Sequence, residues 1–202
     1  GAPIIVAAAR EDLVDAVSAL LRHGADTEST DADGARAVDV ALADPEDETA
    51  AEIAAMLITA GSTPATAEFR YLVEPLRGNN PDVRDSAGYP PILRATIAGH
   101  DGFVRYFASR GARLDAGGPR GRTVLHEAVA RGDGELVSFL LEEGASPSRR
   151  TDAGETVLHL VRNEDAEAMT AIFIAEEIDL SVRNAAGDTV LHHAIRNGWP
   201  PG

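Results

Sequence analysis

Several groups of residues have types and spacing that could do chemistry. His126, His159 and His192 each close a Thr-Val-Leu-His run, and imidazole is the commonest metal ligand. They recur every 33 residues. In stacked repeats that makes a ladder with roughly 10 Å between rungs, whereas one zinc ion needs each nitrogen at about 2.0–2.1 Å. The spacing therefore favours side chains that brace a turn by hydrogen bonds. His192 and His193 are adjacent, so on a helix they point about 100° apart and share no ligand role. Gly117-Gly118-Pro119-Arg120-Gly121-Arg122-Thr123 has the glycines of a phosphate loop but neither its lysine nor its spacing. Arg131-Gly132-Asp133 spells an adhesion tripeptide and reads as an ordinary turn between helices. The carboxylate runs Asp44–Glu48 and Glu164-Asp165 lack the spacing of a calcium loop, of which Asp31-Ala32-Asp33-Gly34 is only a fragment. A Gly-x-Ser-x-Gly nucleophile elbow is absent. The expectation is a non-catalytic chain with no cofactor and no metal.

Composition narrows the classes further. The 202 residues carry 33 acidic and 18 basic side chains, a formal charge of −15, and no cysteine. Every basic residue is arginine, which excludes Schiff-base and phosphate-loop lysines. Without cysteine there is no disulfide scaffold, thiol nucleophile or cysteine-ligated metal. The pI near 4.7 argues against direct nucleic-acid binding, which rests on basic patches. No apolar run approaches the roughly 18 residues of a membrane span. Gly1-Ala2-Pro3 has no signal-peptide character. These features predict an intracellular, monomeric polypeptide, cytoplasmic or nuclear. Aromatic residues make up only 4% and alanine is abundant, which suits thin repeated layers held by close helix contacts.

Those layers are visible as a ladder. Gly121-Arg122-Thr123-Val124-Leu125-His126 recurs at Gly154 and Gly187, and one step back reaches Gly88-Tyr89-Pro90-Pro91-Ile92-Leu93, all 33 residues apart. A second ladder, Gly78, Gly111 and Gly144, keeps the same period and lies 10 residues before each following rung. Internal repetition at this period marks a stack of supersecondary units. The pattern resembles the ankyrin repeat, whose Gly-x-Thr-Pro-Leu-His turn opens a short helix, followed by a Gly-His turn, a second helix and a Leu-Leu-x-x-Gly-Ala exit. Residues 88–112 and 121–145 follow it most closely. The unit from Gly154 keeps its opening and drifts at its exit, and a fourth is cut short at Asn197-Gly198-Trp199.

The resemblance implies an all-α solenoid of stacked helix–turn–helix units with projecting hairpin loops. In the second helix of the 121 unit, Leu136, Val137, Leu140 and Leu141 form the buried face and Glu135, Glu142 and Glu143 the solvent face. Thr123, Thr156 and Thr189 stand where helix N-caps are wanted. Residues 1–62 read as two degenerate repeats, 63–80 as an irregular junction with a single helix, and 81–202 as three regular repeats plus a truncated one. Before the junction, Gly34 to Gly61 is 27 residues, longer than the regular units by the acidic stretch Asp44–Glu48. The chain starts and ends inside repeat units, as a segment of a longer protein would.

The resemblance also implies a function. Ankyrin repeats bind proteins through finger tips and the exposed side of the first helix, so the expected role is a non-catalytic scaffold for a partner protein or peptide. The family's variable positions fall here on Arg84, Tyr89, Arg120, Arg122, Arg131, Arg150, Asp152, Arg183, Arg196 and Asn197, with Ile97, Asn163 and Glu164 beside them. Their arginines suit a partner presenting an acidic segment. Residues 1–62 hold 13 acidic and 3 basic residues against 20 and 15 in the remainder. That asymmetry leaves a second reading, an acidic chaperone for a basic client. A third is the regulatory region of a larger enzyme, channel or receptor.

Overall fold

The computed structural model describes residues 2–162, 165–176, 178–189 and 192. Among these the secondary structure is helical, apart from one isolated bridge between Thr30 and Arg36. The chain divides into two compact units, Gly1–Ser86 with Pro90–Ala112, and Ala87–Tyr89 with Arg113 onward.

The first unit holds α1 (Ile4–Arg10), α2 (Val14–Arg22), α3 (Ala37–Ala41), α4 (Glu48–Thr59), α5 (Val73–Arg77), α6 (Pro91–Ala98) and α7 (Asp101–Ser109). A 3-10 helix, Ala67–Leu72, runs directly into α5. None of these helices exceeds 12 residues, so each depends on packing for its stability. α4 is the hub, touching α2, α3, α5 and α7. Its alanines Ala51, Ala54 and Ala55 are fully buried and let neighbours approach, while Ile53, Leu57 and Ile58 fill the core with Phe103 and Phe107 of α7. The segment between α4 and α6 supplies one helical run where a full repeat has two, so α7 packs directly on α4.

That direct contact rests on one glycine and the acidic stretch. Asp47 caps α4, its carboxylate accepting from the Ala50 amide at 2.8 Å. The Gly102 amide, in the first turn of α7, donates to the Pro45 carbonyl at 3.1 Å. A Cβ on Gly102 would overlap the Asp47 carbonyl. The 67–72 helix is fastened separately. The His100 ring, 3% exposed, lies 3.0 Å through Nδ1 from the Tyr71 hydroxyl and 3.2 Å through Nε2 from a Glu68 oxygen. It also packs 4.8 Å from the Phe69 ring centroid. Burial pushes the Tyr71 hydroxyl far above its ordinary pKa, with Glu68 adding to the shift, so it stays protonated.

The second unit holds α8 (Val124–Arg131), α9 (Gly134–Glu142) and α10 (Ala166–Ala175), with 3-10 turns at Pro119–Gly121 and Val157–Leu160. α8 packs on α9 and on the 157–160 turn, and α9 packs on α10. Leu136, Val137 and Leu140 are buried and Glu135, Glu142 and Glu143 exposed, as the helix periodicity requires, while Leu141, expected on the same buried face, is half-buried. Arg131-Gly132-Asp133 is the turn between α8 and α9. Gly132 takes the left-handed conformation at φ +77° that ends α8, and Asp133 caps α9 through the Leu136 amide at 2.9 Å.

One expectation needs correction. The sequence predicts a regular first helix for the unit opening at Gly154, yet that unit forms only the four-residue 3-10 turn Val157–Leu160. Ala95 and Ala128, fully buried in the equivalent helices, are replaced here by Val161, which is extended at φ −61° and ψ 125°. The glycine that ends the first helix elsewhere, Gly99 or Gly132, is Asp165. A bulkier, β-branched residue at the close contact and a missing left-handed cap both disfavour a full helix. Of the truncated fourth unit, only Gly187, Asp188, Thr189 and His192 fall within the described residues.

Gly102→Ala tests the hub contact. Alanine gains at most about 1 kcal/mol of helix propensity, whereas overpacking costs about 1–3 kcal/mol. The expected result is net destabilisation in urea unfolding, and a stabilised variant would contradict the close approach.

Candidate functional site

The fingers and first helices of the second unit are built by a repeated polar device. At each opening turn a threonine amide donates to the Nδ1 of the histidine three residues on, at 3.3 Å for Thr123–His126, 3.2 Å for Thr156–His159 and 3.3 Å for Thr189–His192. The threonine hydroxyls lie 2.8, 3.1 and 2.8 Å from the same nitrogens. The first two pairs form capping boxes with histidine in the place usually held by glutamate or glutamine. Because Nδ1 accepts, the neutral ring carries its proton on Nε2. His126 Nε2 then donates to the Glu155 carbonyl at 3.4 Å, and His159 Nε2 to the Asp188 carbonyl at 3.0 Å. Each of these two imidazoles closes its own turn and reaches the next repeat. Burial holds the His126 pKa below the usual histidine value, against an opposing hydrogen bond to the Glu155 carbonyl. Among the described residues no three histidines or carboxylates are grouped to hold a metal.

The expected binding residues are distributed unevenly. Arg84 is exposed in the first unit, where Ile97 of α6 is 46% exposed. In the second unit Arg120, Arg131, Arg150, Asp152 and Arg183 are exposed, and Tyr89 and Arg122 are half-buried. Arg196 and Asn197, with Asn163 and Glu164, lie outside the described residues.

Several of these arginines already have partners. Arg150 Nη1 donates to the Gly154 carbonyl and to the Arg183 carbonyl, both at 2.7 Å. Arg183 Nη1 donates to the Gly187 carbonyl at 2.6 Å. Each thus ties the finger turn four residues on, and Arg150 also ties the following finger. The signal was present in the sequence, since both arginines stand four residues before a ladder glycine. Arg122 Nε sits 3.0 Å from a Glu127 oxygen at an angle that gives no hydrogen bond. Arg131 pairs with Asp133 at 3.2 Å. Arg120 differs: its backbone is left-handed at φ +66°, its carbonyl accepts from the Asp152 amide at 3.0 Å, and the residue sits exposed on its finger.

Two acidic side chains of the first unit that would serve a basic client, Asp31 and Glu28, are paired within the fold. Asp31, with its side chain 4% exposed, pairs with Arg10 at 2.6 Å and accepts the Asp33 and Ala35 amides. The Arg10 hydrogen bond, ahead of these amides, holds its pKa below the ordinary carboxylate value. Glu28 pairs with Arg36 at 2.8 Å.

Residues 65–151 match the family model of ankyrin repeats in three copies. The crystal structure of an ankyrin repeat domain from Acinetobacter baumannii AYE aligns with a TM-score of 0.59 and 22% identity, over 96% of this chain and 91% of that one. No curated protein matches the chain. Among the described residues no helix is long and apolar enough to cross a membrane.

The histidine device has a pH consequence. A folded-state pKa below 6.5 for His126 means its stabilisation is complete above pH 6.5 and is lost as pH falls through the folded value. His126→Gln keeps a capping-box side chain and removes the titration, so the fall in urea midpoint between pH 7 and pH 5 should become shallower. His159→Ala should cost about 1 kcal/mol at neutral pH. An unchanged acid profile in the first variant, or an unchanged midpoint in the second, would contradict the assignment.

Proposed function

With residues 65–151 identified as ankyrin repeats in a chain of the ankyrin fold, we propose that the protein is a non-catalytic scaffold that binds a partner protein or peptide through the fingers and exposed first-helix surface of its second unit. Ankyrin repeats are generally protein-interaction modules and their fold is typically non-enzymatic. The observation that carries the reading is a pair of exposed arginines, Arg120 on a finger and Arg131 at the end of α8, with the Arg120 carbonyl held by the Asp152 amide of the next finger and that finger tied by Arg150 at the Gly154 carbonyl. Rigid presentation lowers the ordering cost of binding. Arginine suits planar, bidentate recognition of carboxylates, so the partner presents an acidic segment. The basic-client reading is the weaker one, because Asp31 and Glu28 are already paired with Arg10 and Arg36.

The roles of the arginines separate under mutation. Partners captured by affinity purification and located by crosslinking should map to residues 87–89 and 113–189. Arg120→Glu with Arg131→Glu should weaken capture at least ~10-fold, as hot-spot arginines do, while the unfolding midpoint moves within about 0.5 kcal/mol. Arg150→Glu and Arg183→Glu should each lower stability by about 1 kcal/mol through lost carbonyl bonds. Capture should also fall with rising salt. Full binding by the Arg120/Arg131 double variant would remove the proposal.

A further inference from the structure

Inside the first unit a cleft of about 380 Å³ opens where the C-terminal ends of α2, α4, α5 and α7 converge. Leu21, Met56, Leu76 and Phe107 make an apolar floor. The volume is in the range of small-molecule sites. Arg22, Arg77 and Arg110 line it, and no aspartate or glutamate does, although this unit holds 18 acidic residues against 9 arginines.

The pairing of these three arginines is unlike that of their neighbours. Arg10, Arg36 and Arg94 of the same unit each meet a carboxylate at 2.6–2.8 Å. Among the described residues none of the three cleft arginines does. Arg110 lies over the Tyr106 ring, 5.1 Å from its centroid. Arg77 donates to the Ile58 and Ser62 carbonyls at 3.2 and 2.9 Å and to the Gly61 carbonyl, which closes the end of α4. Arg22 is exposed at the last turn of α2. The helix ends bring partial negative charge, at most about half a unit each, so they offset part of the three positive charges and leave a modest excess. That excess above an apolar floor matches one negative charge on a hydrophobic body.

We propose that this cleft binds a small amphipathic monocarboxylate, with its alkyl or aryl body on Leu21, Met56 and Phe107 and its carboxylate between Arg22 and Arg110. Arg22 and Arg110 supply the charge, and Arg77 holds the wall.

The test is calorimetric titration of the whole chain with decanoate below its micellar range, with 2-naphthoate as the aryl arm and decyltrimethylammonium as the cation of matched length. Saturable one-site binding of decanoate or naphthoate is expected, and whichever binds tighter assigns the body. Arg22→Gln with Arg110→Gln should weaken it at least ~10-fold, because charge-assisted contacts are lost. Met56→Gln should weaken it through the floor, and the exposed Arg70→Gln should leave it unchanged. Unfolding midpoints establish that each variant is folded. Absence of saturable carboxylate binding, equal affinity in the double variant, or equal binding of the ammonium would overturn the proposal.

Discussion

Everything in the second unit depends on an imidazole that must accept on one side and donate on the other. The Nδ1 of His126 and of His159 takes the amide proton of a threonine three residues earlier, which closes the turn and starts the next helical segment. The Nε2–H then reaches a carbonyl 29 residues ahead. Short helices cannot stand alone in water. Apolar burial supplies most of the energy of stacking, but burial is non-directional. The imidazole supplies direction, because a slip between repeats would break its Nε2 bond to the next repeat's carbonyl, and an unpaired buried polar group costs about 1–3 kcal/mol. Protonation of the His126 Nδ1 would remove its acceptor, which links that brace to pH.

The arginines serve the same geometry at the solvent edge. A finger rich in glycine and small polar residues has many carbonyls and few side chains to hold them. Arg150 and Arg183 donate to those carbonyls at the turn, so they set the shape of the finger surface. Arg120, held in a left-handed backbone conformation, is fixed by its own carbonyl against the Asp152 amide of the following finger.

Much of this was legible in the sequence because periodicity encodes it. The 33-residue ladder pointed to the fold class, and the Thr-x-x-His spacing put a histidine back onto its own turn. Leu136, Val137 and Leu140 announced their buried face by helical period. What escaped the sequence depends on through-space neighbours with no fixed spacing. Gly102 looks like an ordinary helix residue until the Asp47 carbonyl is placed against it. His100 occupies an inter-helix turn, and only the fold brings Glu68 and Tyr71 to its ring. At 157–162 the opening motif is intact, but Val161 in place of a buried alanine limits the helix to one 3-10 turn. The role of the expected arginines was half legible, since residue type and position on the ladder were readable and the carbonyls they bind were not.

The most direct measurement of the imidazole brace is the tautomer and protonation of His126 and His159 by long-range proton–nitrogen correlation NMR at neutral pH. Both rings are expected to carry a single proton on Nε2, with Nδ1 showing the nitrogen shift of a hydrogen-bond acceptor, and His126 is expected to protonate only below the usual histidine range. A proton on Nδ1, or rapid exchange between the two tautomers, would contradict the brace and the direction it gives to the stack.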